Sequence, residues 1–157
     1  MRCYNCGKKM KEKKGGYHFI ESGLPNIYLE GVTIHHCSCG EENAAIPCLD
    51  ALLDKIASSI VENSPLLTGP EVRFLRKHLG LKSVELAYVL DVSKVTVSRW
   101  ENDKARIDKS YDNMIRALIQ SKDFKKVLQG IRRKDKKKAG WPHRYVFDTQ
   151  ELWRRSA

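Results

Sequence analysis

Residues 81–104 read LKSVELAYVLDVSKVTVSRWENDK and carry the clearest structural signal in the chain. Apolar residues recur at helical spacing before and after residues 91–93, which indicates two helices joined by a tight turn. Ser93 is placed to cap the second of these helices. Val97 and Trp100, at i and i+3 on that helix, point inward and anchor it. The pattern predicts a helix-turn-helix.

The outward face of the second helix carries side chains suited to double-stranded DNA. A helix fits the major groove, and the residues near its N-terminus reach base edges. Arg99 can pair with O6 and N7 of guanine, Lys94 with a guanine or a phosphate, and Val95 with a thymine methyl group. The hydroxyl side chains are candidates for phosphate contacts. The predicted DNA-binding residues are Ser93, Lys94, Val95, Thr96, Ser98 and Arg99.

Further helices are predicted on both sides of this motif. Thr68 and Glu71 fit a capping box that begins one helix, and Gly80 ends it. Residues 111–118 belong to another helix. The alternative is a helical hairpin with an exposed charged face, but that interpretation predicts neither the turn residues nor the inward anchors.

The first 46 residues are predicted to form a small β unit. Alternating runs at 17–21 and 27–36 indicate strands, residues 22–26 indicate a turn, and Gly31 marks a bulge or second turn. Pro47 then opens an amphipathic helix that continues to about residue 63. We expect this helix to pack on its neighbour, with a dimer or partner contact as the alternative. Its apolar stripe consists of Leu49, Leu52, Leu53, Ile56 and Ile60.

Two cysteine pairs in the β unit have the spacing of a metal site. Structural zinc takes four ligands in a tetrahedron, and a β unit with few large apolar residues needs metal binding to supply folding free energy. The pairs predict a structural Zn²⁺ site with the ligands Cys3, Cys6, Cys37 and Cys39. His36 is the alternative to Cys37, because His36 and Cys39 have the more ordinary two-residue spacer. A redox dithiol or unligated thiols are the alternative to zinc.

Basic residues are concentrated toward the C-terminus. The formal net charge of +10 divides into −1 for residues 1–68, +3 for 69–120 and +8 for 121–157. The last segment suits a polyanion, most simply nucleic acid, and a solvated tail is the alternative. Residues 124–131 are predicted to be helical and 144–148 to form a short strand. The lysines expected to run along DNA phosphates are Lys134, Lys136, Lys137 and Lys138.

Secretion, membrane insertion and catalysis are not indicated. No apolar run approaches the ~20 residues that span a bilayer, and no signal peptide is recognised, so we expect a cytoplasmic protein. Cysteines in a reducing compartment favour metal ligation or free thiols, and Cys48 is interpreted as a small core residue. A nuclease is the enzymatic alternative. Adjacent Glu41 and Glu42 usually point apart, and His143 has no obvious acidic partner, so no catalytic residue is predicted.

The 81–104 stretch resembles the Cro/repressor-type (XRE) helix-turn-helix family. Asp91 and Asp103 stand where that family usually has glycine, and aspartate tolerates a left-handed backbone better than most residues. The family often has glutamine where Ser83 stands, which implies that one phosphate contact is missing or replaced. The matching residues are Leu86, Ala87, Val92, Ser93, Thr96, Val97, Ser98, Arg99, Trp100, Glu101, Asn102 and Lys104.

The order of a four-cysteine β unit, an amphipathic helix and this motif resembles the MqsA (YgiT-type zinc-finger) antitoxin family over residues 1 to about 120. Residues 39–42 and 45–47 are similar to the second cysteine turn of that family and the exit from it. The one-residue spacer between Cys37 and Cys39 is shorter than usual. The resemblance assigns base reading to Arg99, and Val95 stands where a relative has a polar reader, so the operator should differ.

The same resemblance implies a division of labour. The C-terminal module would dimerise, bind a palindromic operator and repress its own operon. The zinc module would bind and neutralise a partner toxin, typically an mRNA-cleaving ribonuclease. The alternative is a stand-alone XRE-type transcriptional regulator without a toxin, whose zinc domain is an interaction or structural module.

Together the signals predict an α+β chain in four segments. A small zinc-ribbon-like β domain is expected at residues 1–48, followed by a connecting helix and linker at 49–68. An all-α, five-helix XRE-type domain is expected at 69–121 and a basic C-terminal extension at 122–157.

Overall fold

A three-stranded antiparallel sheet followed by five helices makes up the first 121 residues of the computed structural model. The structure describes residues 1–121, 145–148 and 152–155. The chain divides into two compact units, 1–121 and 122–157. The α+β architecture predicted from the sequence is confirmed. The elements of the first unit are β1 (Lys11–His18), β2 (Tyr28–His36), β3 (Glu42–Ala45), α1 (Leu49–Asn63), α2 (Gly69–His78), α3 (Ser83–Val89), α4 (Lys94–Glu101) and α5 (Lys109–Gln120).

The sheet has the order β1-β2-β3, so that β2 is central and β1 and β3 are its edges. The strand predicted at 27–36 is confirmed as β2, but the one predicted at 17–21 is wrong. The first strand lies at Lys11–His18, and Ile20–Ser22 forms a short 3-10 turn closed by Gly23 with φ 80°. β1 was missed because it is exposed along most of its length and therefore lacks an apolar alternation.

A bulge interrupts the pairing of β1 with β2. Gly15 pairs with Val32 and Tyr17 with Leu29, so the register shifts between these pairs. Gly31 lies at this irregularity with φ 72°. The bulge predicted at Gly31 is therefore confirmed, and glycine supplies the positive φ at little steric cost.

Helix α1 packs against α2 and α5, as expected for a connecting helix. Only part of its predicted apolar stripe is buried: Ile56 and Ile60 lie inside, Leu52 and Leu53 are half-buried, and Leu49 is 43% exposed. Ala57 and Val61 complete the buried face. The inward face is therefore concentrated in the C-terminal half of the helix, where α1 approaches the helical module.

Helices α2–α5 form a module with its own core. Its fully buried side chains include Val72 and Leu75 of α2, Leu86 of α3, Val97 of α4 and Ile115 of α5. Two residues from α2 and one from each of α3, α4 and α5 thus contribute to the apolar interior of this module. This core supports the surface that α4 presents to solvent.

The predicted helix boundaries in this module are largely confirmed. The Thr68 amide and hydroxyl both donate to the Glu71 carboxylate, at 2.8 and 2.9 Å, at the start of α2. Gly80 adopts φ 70° after its end, and the Leu81 amide donates to the Arg76 carbonyl at 3.0 Å. This left-handed termination is the usual way for a glycine to end a helix.

In the second unit, β4 (Tyr145–Asp148) pairs with β5 (Leu152–Arg155) as an antiparallel hairpin. The short strand predicted at 144–148 corresponds to β4. The helix predicted at 124–131 and the lysines at 134–138 lie outside the described residues. Within the described part of the chain, no helix has the length and apolar character needed to span a membrane.

Candidate metal centre and nucleic-acid interface

Two similar turns bring the cysteine pairs together. In the first, the Gly7 amide donates to the Cys3 carbonyl at 2.9 Å, and Gly7 has φ 72°. In the second, the Gly40 amide donates to the Cys37 carbonyl at 3.0 Å, and Gly40 has φ 92°. Each turn therefore relies on a left-handed glycine to fold back.

The sulfur atoms of Cys3, Cys6, Cys37 and Cys39 all lie within 4.8 Å of one another. The Sγ atoms of Cys3 and Cys39 are 3.7 Å apart, and those of Cys6 and Cys37 are 3.3 Å apart. A tetrahedron with metal–sulfur distances of ~2.3 Å has sulfur–sulfur edges of about 3.8 Å. The four cysteines therefore fit a metal ion of the size and preference of zinc.

Protonation of the cluster reflects the crowding of its thiols. The Cys39 backbone amide and the Cys6 side chain lower the pKa of Cys37 to about 6. For Cys39, the Glu41 backbone amide acts to lower the pKa, but Cys37 and the other thiols outweigh it and raise the value to about 12. Four neighbouring sulfurs cannot all ionise without a cation to offset their repulsion, and a bound metal ion supplies that charge.

Neither His36, the alternative ligand, nor Cys48, the fifth cysteine, belongs to the cluster. His36 Nδ1 is 3.1 Å from a carboxylate oxygen of Glu42, its strand partner, so Cys37 rather than His36 joins the other sulfurs. Cys48 is exposed, with φ 50° at the N-terminus of α1. The interpretation of Cys48 as a core residue is therefore wrong, because the chain turns sharply there before the helix begins.

Helix α4 begins as the sequence predicts. The Ser93 Oγ accepts a hydrogen bond from the Thr96 amide at 3.0 Å, and the two hydroxyls lie 2.8 Å apart. Ser93 is thus an N-cap, which satisfies one of the free amides in the first turn. Both hydroxyls keep hydrogen-bonding capacity for a further partner.

The two faces of α4 differ sharply in exposure. Val97 is fully buried and Trp100 is 4% exposed, whereas Val95 is 66% exposed. Lys94, Ser98 and Arg99 are also exposed. Of the six predicted DNA-binding residues, only Thr96 is half-buried, so the sequence-predicted surface is present as one outward face.

Ion pairs that the sequence did not reveal hold α4 in place. Glu101 is buried at the end of α4, and Arg76 of α2 donates to its two carboxylate oxygens at 2.5 and 3.1 Å. Arg73 donates to the Asn102 side chain at 2.8 Å. Trp100 packs on Tyr111 of α5 with ring centroids 5.2 Å apart. The outward face is therefore fixed from behind by two helices.

Aspartates at the two turns adopt the backbone that glycine favours. Asp91 and Asp103 both have φ 53°. Beyond each of them, an amide donates five residues back: Val92 to Ala87 at 2.9 Å, and Lys104 to Arg99 at 2.8 Å. Aspartate thus replaces glycine at both turns without loss of the turn geometry, as predicted.

A comparison with protein-family models identifies the domain to which α4 belongs. Residues 72–111, from within α2 to the start of α5, match the family model described as helix-turn-helix. The chain contains an XRE-type helix-turn-helix domain. This domain family is one of DNA-binding regulators and is typically non-enzymatic. No curated protein matches the chain.

The two carboxylates considered for catalysis have separate partners. Glu41 accepts a hydrogen bond from the Tyr4 hydroxyl, and Glu42 faces His36. Glu41 and Glu42 thus point to different neighbours, as expected for residues that are adjacent in sequence. His143 lies outside the described residues.

Proposed function

We propose that this protein is a sequence-specific transcriptional regulator that reads double-stranded DNA with helix α4. The observation that carries the proposal is the outward face of α4, which is exposed and polar except for Val95, while Val97 and Trp100 hold the helix from behind. This face lies within the part of the chain that matches the helix-turn-helix family. A helix supported in this way can enter the major groove without rearrangement.

The proposed contacts follow from side-chain chemistry. Arg99 donates to O6 and N7 of a guanine, and Lys94 reaches a guanine or a phosphate. Val95 offers its methyl groups to a thymine methyl, which favours A·T at that position. Ser93, Thr96 and Ser98 contact phosphates, which fixes the register of the helix without reading sequence.

We propose further that two copies bind a palindromic operator. A helix of this length reads only a few base pairs, and a dimer places two such helices in half-sites one helical turn apart. The four-cysteine cluster is proposed to hold a structural Zn²⁺, because four sulfur ligands leave no open position for a substrate.

Replacement of Arg99 by alanine is expected to weaken specific binding by about 1–3 kcal/mol and to relax the preference at one base pair. The site is first selected from a random duplex library with the wild-type protein, and binding is then measured on that site and on its single-base variants. Arg106→Ala is the matched control, because Arg106 is an exposed arginine beyond the end of α4. An equal loss of affinity for selected and random duplexes would contradict base reading by Arg99.

The antitoxin role is proposed as a second layer of function. It is supported by the order of the modules, in which a four-cysteine sheet precedes a connecting helix and a helix-turn-helix domain. In this proposal the sheet binds a ribonuclease toxin, while α4 represses the operon that encodes both proteins. Co-purification from the native host tests it: we expect a small ribonuclease encoded by the adjacent gene. Recovery of the regulator alone would favour the stand-alone regulator.

A further inference from the structure

The N-terminal sheet carries one strongly basic edge. Residues 1–14 contain six cationic side chains and a single carboxylate, Glu12, whereas residues 15–68 contain one cation, Lys55, and seven carboxylates. The charge of this part of the chain is therefore segregated rather than mixed. We call the cationic group the basic edge; it consists of Arg2, Lys8, Lys9, Lys11, Lys13 and Lys14.

The fold displays all of these cations on the surface. Arg2 and Lys9 face each other across an isolated bridge in the first cysteine turn. The other lysines flank that turn or lie on β1, which is an edge strand. All six side chains are exposed, and none forms an ion pair with another described residue. On the opposite edge of the sheet, β3 begins with a carboxylate, Glu42.

Structural ion pairing does not account for these charges. In the helical module, Arg76 and Arg116 are largely buried and satisfied by Glu101 and Asp112. The cations of the basic edge have no such partners among the described residues. Lysines on an edge strand also block pairing with other sheets, but this explains only those on β1, since Arg2, Lys8 and Lys9 precede the strand.

We propose that the basic edge binds the phosphate backbone of double-stranded DNA and adds a second, sequence-independent contact to that of α4. This inference rests on the proposed function, because a regulator bound through α4 is held next to a dense array of phosphates. Unpaired surface cations gain affinity there by releasing the counterions condensed on the duplex. Tethering to α4 raises the effective concentration of phosphate seen by the basic edge.

The test is the salt dependence of binding to a random duplex, measured with the full-length, metal-loaded protein. In the triple variant Lys9→Gln, Lys11→Gln and Lys13→Gln, the slope of log affinity against log salt should fall by about 2.7, because each phosphate contact contributes about 0.9. The preference for the selected site over its single-base variants should stay unchanged. Lys55→Gln is the control, since it removes an exposed lysine from the acidic remainder of the segment and should leave the slope intact.

A second variant separates DNA binding from protection of the sheet edge. The triple variant Lys9→Glu, Lys11→Glu and Lys13→Glu keeps the edge charged but repels phosphate, so it should weaken binding more than the glutamine variant does. A wild-type slope in both triple variants would overturn the inference, as would self-association of the glutamine variant with no change in slope. If the wild-type protein binds no duplex at all, the proposed function itself fails.

Chemical footprinting of the lysines tests the inference independently, on the wild-type protein. Acetylation of the lysines of the basic edge should slow when random duplex is added, while Lys55 should react at the same rate. Protection of Lys55 alone, or of none of the basic edge, would overturn the inference. Protection by a co-purified acidic protein in place of the duplex would also overturn it and identify the basic edge as a protein-binding surface.

Discussion

Replacement of Cys37 by serine is expected to abolish metal binding and to unfold the N-terminal sheet, while α2–α5 stay folded. Cys37 is buried with Cys3 and Met10 in a small core that consists largely of the cluster itself. Structural zinc sites contribute roughly 10–16 kcal/mol of apparent binding free energy. Elsewhere the sheet and its connections bury only a few large apolar side chains, Phe19, Leu24, Leu29 and Ile34, which are not a comparable source of stability once that term is lost.

The helical module should survive because its interior is separate. Val72, Leu86, Val97 and Ile115 are fully buried in it, and none of the four cysteines contributes to that group. The Cys37→Ser protein should therefore keep its helical circular-dichroism signal. It should also keep the part of its affinity for random duplex that comes from α4, and lose at most the part that comes from the basic edge. Removal of the metal from the wild-type protein with a chelator should produce the same partial unfolding.

Metal content and hydrogen exchange measure the two halves of this prediction. The wild-type protein should carry one zinc per chain and the variant none, and amide protection should disappear from β1–β3 but remain in α2–α5. Cys48→Ser is the matched control, since Cys48 is exposed and lies outside the cluster. If the Cys37→Ser protein retained full zinc content and a protected sheet, the four-cysteine site would be wrong.

The parts of the structure that could be predicted from the sequence are those fixed by local signals. The Ser93 cap, the inward pair Val97 and Trp100 and the two left-handed aspartates each depend on residues within one or two turns. For this reason the exposed face of α4 agrees closely with the prediction. The cysteine cluster was also predictable, because metal ligands carry strong spacing constraints even when the pairs are far apart in sequence.

The first strand could not be located from the sequence because its conformation is imposed by its partner. The segment KEKKGGYH has neither apolar alternation nor high strand propensity. It becomes a strand by hydrogen bonding along β2, from Lys11 opposite His36 to His18 opposite Tyr28. Pairing of this kind depends on residues about 10–25 positions away, which a local pattern does not contain.

The buried ion pairs were missed for a related reason. Glu101 and Asp112 occupy positions that resemble the polar faces of short amphipathic helices, and nothing local distinguishes them from solvated carboxylates. Arg76, the partner of Glu101, lies 25 residues earlier on α2. Arg116 lies four residues after Asp112 on the same helix, but it is held in the interior by bonds such as the one to the Ile60 carbonyl, across 56 residues. Only the packing of the helices reveals that these charges are buried.

Replacement of Asp112 by alanine is expected to destabilise the unit of residues 1–121 by about 3–5 kcal/mol, because it leaves a largely buried arginine without its counter-charge. Asp112 is completely buried, and Arg116 donates to both of its oxygens, at 2.9 and 3.1 Å. Asp112 also accepts from the Leu67 amide at 2.9 Å, in the linker between α1 and α2. Its loss therefore loosens α5 and the linker together.

Arg116 extends this network to the end of α1. Its guanidinium donates to the carbonyls of Ile60, Val61 and Ser64 at 3.1, 2.6 and 2.8 Å. Asp112 holds the guanidinium in the orientation that these bonds require. Urea unfolding followed by circular dichroism should thus show an earlier transition for Asp112→Ala, with a smaller shift for Asp112→Asn, which keeps an acceptor for Leu67.

The pH dependence of stability separates the charge of Asp112 from its shape. Burial acts to raise the pKa of Asp112, but the Arg116 side chain, the Leu67 amide and Lys109 outweigh it and lower the pKa from its ordinary value of 3.8. A lowered pKa in the folded state means that the stabilising contribution is complete above the ordinary value and is lost as the pH falls through the folded value. The stability gap between wild type and Asp112→Asn should therefore narrow at progressively acid pH below 3.8.

Glu62→Gln is the control for this experiment, because Glu62 is an exposed carboxylate on α1 and its loss should change stability by no more than about 0.5 kcal/mol. A gap between wild type and Asp112→Asn that stayed constant into acid, or an Asp112→Ala protein as stable as the control, would contradict a buried, ionised Asp112. Because the Asp112 network lies on the side of α5 and the linker, Asp112→Asn should retain the base preference of α4 under conditions where it remains folded.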